Sequence, residues 1–163
     1  TFCGQCVQTC PTGALADKKA LRAADTPGAL AKTRSVCPYC GVGCSVDLLS
    51  KGAQLVGIQP AMDGPANEGA LCVKGQFAFD FVQHRDRLKM PLVRGADGEL
   101  HETDWDRALD RAAAGFAKVL EKHGRYAIYG IASGRTPSEA NYTMQQFIRR
   151  GYGTHYIDNC SRA

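Results

Sequence analysis

Two cysteine groups near the start of the chain limit its possible structures more than any other feature. Seven of the eight cysteines in this 163-residue sequence fall within the first 72 residues. Both groups have the spacing C-x2-C-x3-C, and one further cysteine follows the second group at a distance. The first group is Cys3, Cys6 and Cys10; the second is Cys37, Cys40 and Cys44, followed by Cys72.

Three kinds of cysteine chemistry are compatible with these groups. Disulfide bonds suit short secreted domains, but cysteines crowded into one loop are poorly placed to cross-link a fold. A structural zinc ion is usually held by two separated C-x2-C pairs that form a tetrahedron. Three thiolates in one short loop plus one remote thiolate better match the four-cysteine ligation of a [4Fe–4S] cluster. The spacing favours iron–sulfur, with zinc and disulfides as alternatives.

The first group resembles part of a ferredoxin motif. Residues 3–11 read CGQCVQTCP, the last part of the run C-x2-C-x2-C-x3-C-P, whose fourth cysteine serves a second cluster in two-cluster ferredoxins. The first cysteine of that run would fall upstream of Thr1. We therefore expect the chain to be a fragment in which residues 1–15 are the tail of a ferredoxin-like module with an incomplete [4Fe–4S] ligand set.

Composition and charge exclude several classes of protein. Hydrophobic residues make up 44% and charged residues 22% of the chain, as in an ordinary globular protein. The net charge of +4 comes from evenly spread residues, so no nucleic-acid partner is predicted. The sequence contains no apolar run of about 18 residues, so no membrane-spanning helix is predicted. No signal peptide is visible, and we predict a cytoplasmic location.

The first half of the chain predicts a small cysteine domain built on a β-hairpin. Residues 16–34 read as a short helix and a linker. Residues 45–50 and 53–59 are rich in strand-forming side chains and predict a hairpin, and a Gly- and Pro-rich loop over 60–71 leads to Cys72. Residues 73–84 predict a helix. Three nearby aromatic side chains are expected in the core or shielding a cluster: Phe77, Phe79 and Phe81.

The second half predicts a mixed α/β fold. Thr103 reads as the N-cap of a helix that ends before Gly124. A strand at 126–131, a helix from Pro137 to about Arg150 and a strand at 155–158 then predict a parallel βαβ unit. Ligands of such sheets bind beyond the carboxyl ends of the strands. The expected binding residues therefore lie at 132–136 and 159–163.

Four motifs together resemble the molybdopterin oxidoreductases. Arg107 replaces the acidic residue usual at the start of one family helix, which affects only a surface position. A fifth segment, DNCSRA at 158–163, is similar to the formate dehydrogenase α-subunits. The four motifs are CPYCGVGC at 37–44, GALCVKG at 69–75, LKMPL at 88–92 and DWDRAL at 104–109.

The resemblance implies a domain order and a set of site residues. Residues 35–90 would be the 4Fe–4S domain, and residues 91–163 the start of the α/β molybdopterin-binding catalytic domain. Lys74 matches the family lysine between cluster and pterin, a route for electrons, whereas Cys160 is expected to be a buried thiol and no ligand. The implied cluster ligands are Cys37, Cys40, Cys44 and Cys72. The implied contacts of the bis(molybdopterin guanine dinucleotide) cofactor, bis-MGD, are Lys74, Ser133, Gly134, Arg135 and Asn159.

The resemblance also implies an activity. The whole enzyme would oxidise formate to CO2, or run the reverse, at molybdenum or tungsten. Electrons would pass through 4Fe–4S clusters to an electron-accepting subunit, to ferredoxin or to NAD-reducing subunits. A metal-ligating cysteine or selenocysteine is expected directly after Ala163, and the chain alone is expected to be inactive. The alternatives are a nitrate reductase-like enzyme, the related electron-transfer subunit of NADH dehydrogenase and a zinc-stabilised binding module.

Overall fold

A computed structural model of the protein describes residues 3–160, which divide into two compact units. The first unit comprises residues 3–85 and 134–138, and the second comprises residues 86–133 and 139–160. Both contain helix and sheet, so the mixed α/β class predicted from the sequence is confirmed. No helix in this part of the chain combines the length and apolar character needed to cross a membrane.

The first unit is built on a three-stranded antiparallel sheet with the order β1-β2-β3. Two short helices precede the sheet, and a third helix and a 3-10 turn follow it. The elements are α1 (Gln5–Gln8), α2 (Lys18–Ala24), β1 (Leu30–Val36), β2 (Ser45–Lys51), β3 (Gln54–Pro60), α3 (Val73–Phe77) and a 3-10 turn at Asp80–Gln83.

The hairpin predicted for residues 45–59 is confirmed as β2 and β3, which pair from Lys51 opposite Gln54 to Val46 opposite Pro60. Residues 30–34 were predicted as linker, and this prediction is wrong because they belong to β1. That strand pairs along its whole length with β2 on the edge of the sheet. Nearly all its side chains are exposed, so its sequence lacks the alternation of apolar and polar residues that marks a half-buried strand.

The short helix predicted within residues 16–34 is confirmed as α2. The Asp17 side chain caps its start by accepting a hydrogen bond from the Lys19 backbone N–H at 2.9 Å. The Lys51 ammonium group donates to the carbonyls of Ala23 and Thr26 at the other end, both at 2.8 Å. Helix α2 is therefore attached to strand β2.

The helix predicted for residues 73–84 is interrupted. Helix α3 ends at Phe77, and Ala78 leaves helical geometry with φ −93° and ψ 56° before the 3-10 turn begins. Phe79 is only 7% exposed and belongs to the core, as predicted. Phe81 is 43% exposed, so the core prediction is wrong for this residue, which lies in the 3-10 turn.

The second unit contains a hairpin, a long helix and a small parallel sheet. The hairpin of β4 and β5 was not predicted from the sequence. Strands β6 and β7 pair in parallel, which confirms the predicted βαβ unit. The elements are β4 (Leu92–Arg94), β5 (Leu100–Glu102), α4 (Trp105–His123), a 3-10 turn at Arg125–Ala127, β6 (Gly130–Ala132), α5 (Ser138–Gln146), a π-helical turn at Phe147–Gly151 and β7 (Ile157–Asn159).

Helix α4 starts one residue later than predicted. The N-cap is Asp104, whose carboxylate accepts from the Arg107 backbone N–H at 2.8 Å, and not Thr103. A carboxylate at this position also interacts favourably with the positive end of the helix dipole. Gly124 ends the helix as predicted, with φ +75°, a left-handed φ that glycine adopts without a steric cost.

The two predicted strands of the parallel sheet are shorter than expected. The strand predicted at 126–131 begins only at Gly130, because the chain after Gly124 first makes a 3-10 turn. In that turn the Ala127 N–H donates to the Gly124 carbonyl at 3.2 Å. The strand predicted at 155–158 is shifted to β7.

Candidate functional site

The second cysteine group occupies the connection between the two strands β1 and β2. Cys37 follows the last residue of β1, and Cys44 precedes the first residue of β2. The Cys37 backbone N–H donates to the Cys44 carbonyl at 2.9 Å and closes the loop between them. Gly43 turns the chain with φ +74°, a conformation that side chains disfavour. The loop therefore presents Cys37, Cys40 and Cys44 from one compact turn.

The fourth cysteine is brought to this loop by its neighbour Leu71. Leu71 is 4% exposed and lies in one apolar cluster with Cys37 and Val46, against which Cys44 also packs. A Cβ atom on Gly75 would lie 3.4 Å from the Cys37 sulfur. The start of α3, which carries Cys72 at its N-cap, therefore lies against the cysteine loop.

The four thiols are near enough to influence each other's ionisation. Burial raises the pKa of Cys37; the Tyr39 backbone N–H opposes this rise, and the neighbouring charges of Cys72 and Cys40 add to it. Burial also raises the pKa of Cys44, with further contributions from the charges of Cys37, Cys40 and Cys72. The structure thus brings together all four residues that the sequence predicted as one ligand set.

This donor set fits a cluster of several positive ions. None of the eight cysteines forms a disulfide bond, so the disulfide alternative is not realised among residues 3–160. Four thiolates in one place repel each other unless cations compensate their charge, and the iron ions of a [4Fe–4S] cluster provide that compensation. Cys37, Cys40, Cys44 and Cys72 would hold such a group.

No preformed single-ion site is found among residues 3–160, where no group of three or more His, Cys, Asp or Glu side chains could hold one metal ion. A structural zinc holds its sulfur ligands at about 2.3 Å from one centre. A [4Fe–4S] cluster is a larger body whose cysteine ligands surround several ions. Zinc stays the alternative to iron–sulfur for these four cysteines.

Lys74 lies in the first turn of α3, two residues after Cys72. Its side chain is exposed, and its positive charge lowers the pKa of Cys37. The structure thus brings a cation close to the cysteine set, where sequence reasoning expected the lysine between cluster and pterin. Its role in electron transfer stays a prediction.

The first cysteine group is more open than the second. Cys6 lies in helix α1 and is exposed, while Cys3 and Cys10 are partly exposed. The Leu15 backbone N–H, followed by the Thr12 hydroxyl, lowers the pKa of Cys10 to about 7. The lowered pKa favours the thiolate form, which is the form that binds metals. That these three cysteines are cluster ligands stays a prediction.

The predicted pterin contacts lie at the ends of the parallel strands. Ser133 directly follows β6, and Asn159 ends β7 opposite Ala132. The Asn141 side chain holds Ser133 by accepting from its N–H at 3.1 Å and donating to its carbonyl at 2.9 Å. Sequence reasoning missed Asn141, whose only signal was an amide in a helix next to a strand end. Ser133 and Asn159 are therefore brought together.

Gly134 and Arg135 follow Ser133 in the chain and belong to the first unit. In the same short segment, the Ser138 hydroxyl donates to the Gly41 carbonyl of the cysteine loop at 3.3 Å. The segment over 134–138 is thereby attached to the loop that carries three of the predicted cluster ligands. That Gly134 and Arg135 contact a pterin stays a prediction.

The prediction that Cys160 is a buried thiol is wrong. Cys160 is exposed and its sulfur lies 3.2 Å from the Ser133 hydroxyl. It follows the last residue of β7, at the edge where the chain leaves the small sheet. Residues 161–163 lie outside the described residues, as does the metal-ligating residue predicted after Ala163. The end of the motif similar to formate dehydrogenase therefore has no structural account here.

Comparison with known families identifies the class of protein that this fold and cysteine site define. Residues 30–84 match the model of the molybdopterin oxidoreductase Fe4S4 domain, and residues 87–163 match the molybdopterin oxidoreductase model. The chain therefore belongs to the molybdopterin oxidoreductases, and these domains imply a 4Fe–4S cluster and a molybdopterin cofactor. The first match begins at Leu30, the first residue of β1.

Curated proteins of Staphylococcus aureus are similar to most of the chain. Those of strains MRSA252 and USA300 are each 45% identical over 131 residues, and that of strain N315 is 44% identical over the same length. Each bears the name "Putative formate dehydrogenase". The matched region is 80% of this chain and 13% of each relative, so the chain spans a small part of their length.

Proposed function

We propose that this chain provides the electron-relay domain and the first part of the pterin-binding domain of a formate dehydrogenase. Such an enzyme oxidises formate to CO2, or runs the reverse reaction. Cys37 and Cys44 pack in one apolar cluster with Leu71, the neighbour of Cys72, in the region that matches an Fe4S4 domain, and this arrangement carries the proposal. The 45% identity to a protein named "Putative formate dehydrogenase" supports the choice of substrate.

In this proposal each part of the chain has its own task. The molybdopterin group, when bound, supplies the two-electron redox chemistry at molybdenum or tungsten, while protein residues supply orientation and electrostatics. Cys37, Cys40, Cys44 and Cys72 hold a [4Fe–4S] cluster. Lys74 places a positive charge beside it, which favours transfer of negative charge into this region.

The strand ends form part of the cofactor wall in the proposed enzyme. Ser133 and Asn159 offer a hydroxyl and an amide at the carboxyl edge of the parallel sheet, where ligands of such sheets bind. The exposed Arg135 guanidinium suits a phosphate group of a guanine dinucleotide, because it can form two parallel hydrogen bonds. We propose the bis-MGD form of the cofactor, with Arg135 as a contact for one of its phosphates.

A contact between the N-terminal cysteine segment and α3 supports an onward electron route. A Cβ atom on Gly4 would lie only 2.4 Å from the ring of Phe77, so the backbone between Cys3 and Cys6 packs directly on that ring. Phe77 is in the same helix as Lys74. We propose that electrons continue along this contact to a ferredoxin-type cluster at Cys3, Cys6 and Cys10. An electron-accepting subunit, ferredoxin or NAD-reducing subunits would receive them.

A substrate comparison tests the proposed activity. With the complete cofactor-loaded protein that contains this chain, formate should reduce benzyl viologen. With the same protein, nitrate should not oxidise reduced benzyl viologen. Nitrate-dependent oxidation without formate activity would favour a nitrate reductase-like enzyme. No activity with either substrate would favour a pure electron-transfer subunit. The chain alone should show no formate oxidation. A cytoplasmic location stays a prediction.

A further inference from the structure

One side chain, Asn67, links the segment that carries Cys72 to the cysteine loop. Its carboxamide oxygen accepts a hydrogen bond from the Ser45 backbone N–H at 2.8 Å, and its amide nitrogen donates to the Ser45 carbonyl at 3.2 Å. The same nitrogen donates to the Ala70 carbonyl at 3.0 Å. The Asn67 amide thus hydrogen-bonds both the N–H and the carbonyl of Ser45, as the backbone of a paired strand would.

The residues bound by Asn67 are neighbours of two proposed cluster ligands. Ser45 follows Cys44 directly, and Ala70 lies two residues before Cys72. The backbone from Ala70 to Cys72 has little freedom, because the intervening residue is buried in the apolar cluster. A side chain that fixes Ser45 relative to Ala70 therefore fixes the backbone of Cys44 relative to that of Cys72.

The surrounding loop is shaped to hold Asn67 in this place. A Cβ atom on Gly64 would lie 2.5 Å from the Asn67 oxygen and 2.9 Å from the Ser45 Cβ, so a larger residue would displace the pair. Glu68 and Gly69 turn the chain with φ values of +44° and +80°. A positive φ is uncommon for residues other than glycine and persists only where the surroundings enforce it.

We propose that Asn67 is a positioning residue for the cluster: it sets the place of Cys72 relative to the loop over Cys37–Cys44. This inference rests on the proposed function, in which these cysteines bind a [4Fe–4S] cluster. Outer residues that orient the ligands of a metal site commonly affect its affinity and its potential. Asn67 acts on the cluster through the backbone of two ligand segments and does not touch the iron itself.

The test compares two Asn67 variants with a matched control in the same unit. Asn67→Ala removes all three hydrogen bonds. Asn67→Asp keeps the acceptor for the Ser45 N–H and removes the donor. The control is Gln83→Ala, since the Gln83 amide pairs with the Leu55 backbone in the same manner, at 2.9 and 3.4 Å, but Leu55 adjoins no cysteine.

Each variant is made in a chain that carries Cys3→Ser, Cys6→Ser and Cys10→Ser, so that only the second cysteine group can bind iron, and is reconstituted anaerobically with ferrous iron and sulfide. The rate of cluster loss to an iron chelator and the reduction potential are then measured. Asn67→Ala should lose its cluster roughly tenfold faster than the wild type, because loss of an outer residue that orients the ligands commonly weakens metal binding by at least this factor, and its potential should shift. Asn67→Asp should lose its cluster at least as fast as Asn67→Ala, because its carboxylate oxygen would face the Ser45 and Ala70 carbonyls. Gln83→Ala should match the wild type.

Three results would overturn the inference, and they differ in what else they affect. An Asn67→Ala chain with wild-type chelation rate and potential would refute the positioning role and leave the cluster assignment intact. Equal acceleration in Gln83→Ala would attribute the effect to general stability, which also refutes the role. A wild-type chain that takes up no iron would refute the proposed function and the positioning role together.

Discussion

At the residue scale, Asp47 in strand β2 is a buried carboxylate that pairs with two cations. Its side chain is 5% exposed, and its carboxylate pairs with Lys32 at 2.8 Å and with Arg34 at 2.7 Å. Arg34 also pairs with the exposed Asp63 at 2.9 Å. These hydrogen bonds, first that from Lys32, hold the pKa of Asp47 below its usual value. Removing the carboxylate would leave two cations without their buried partner.

Asp47→Asn should therefore destabilise the first unit at neutral pH and have a smaller effect in acid. The lowered pKa means that the ionised Asp47 contributes fully above the unfolded pKa of about 3.9 and loses its contribution as the pH falls through the folded value. Urea denaturation should show a larger difference from wild type at pH 7 than near pH 3. An equal difference at both pH values would contradict this.

At the residue scale, the sequence grouped the four cysteines that are proposed as cluster ligands, but it did not indicate the residues that support them. Cysteine spacing alone grouped Cys37, Cys40, Cys44 and Cys72, because thiols at such intervals have few structural uses. Asn67 and Asn141 gave no comparable signal, since a single amide is compatible with any loop or helix. Their roles depend on backbone groups that only the folded chain brings to them.

At the scale of elements, the neighbouring residues Thr103 and Asp104 are both suitable N-caps for helix α4, and the cap in the structure is Asp104. The Asp104 carboxylate accepts from the Arg107 N–H, whereas the Thr103 backbone N–H donates to the Pro91 carbonyl at 3.0 Å in the preceding hairpin. This hydrogen bond to Pro91, the residue before β4, holds Thr103 at the end of the hairpin, so that Asp104 is the N-cap.

Asp104→Ala should destabilise α4 by about 1 kcal/mol, because an N-cap side chain satisfies one helix N–H. Thr103→Ala serves as the matched control and should have a clearly smaller effect. Thermal unfolding followed by circular dichroism measures both changes. A larger loss of thermal stability for Thr103→Ala than for Asp104→Ala would contradict this and support Thr103, the residue predicted from the sequence, as the N-cap.

Element predictions succeeded where local chemistry decides the structure. Strand-forming runs predict the hairpin of β2 and β3, and a glycine with a left-handed φ ends α4 at Gly124. Helix α2, which begins after its N-cap Asp17, was also predicted. Strand β1 was missed because its pairing partner lies elsewhere in the chain, and its own side chains are mostly exposed. The break after Phe77 likewise has no signal in the local sequence.

At the scale of the whole molecule, the apolar cluster of the first unit lies next to the cysteines. Cys37, Val46 and Leu71 form this cluster, Cys44 packs against it, and Cys72 directly follows Leu71. Metal binding commonly contributes to the folding of small domains because the site forms only in the folded chain. We therefore expect the bound cluster and the first unit to stabilise each other.

Iron and sulfide counts after anaerobic reconstitution test the central claim most directly. The background chain carries Cys3→Ser, Cys6→Ser and Cys10→Ser, so that only the second cysteine group can contribute. This chain should bind about four irons and four sulfides and show the spectrum of a [4Fe–4S] cluster. Adding Cys72→Ser should abolish binding, whereas adding Cys160→Ser should leave it unchanged. A zinc-bound colourless chain, or full iron retention with Cys72→Ser, would contradict the account.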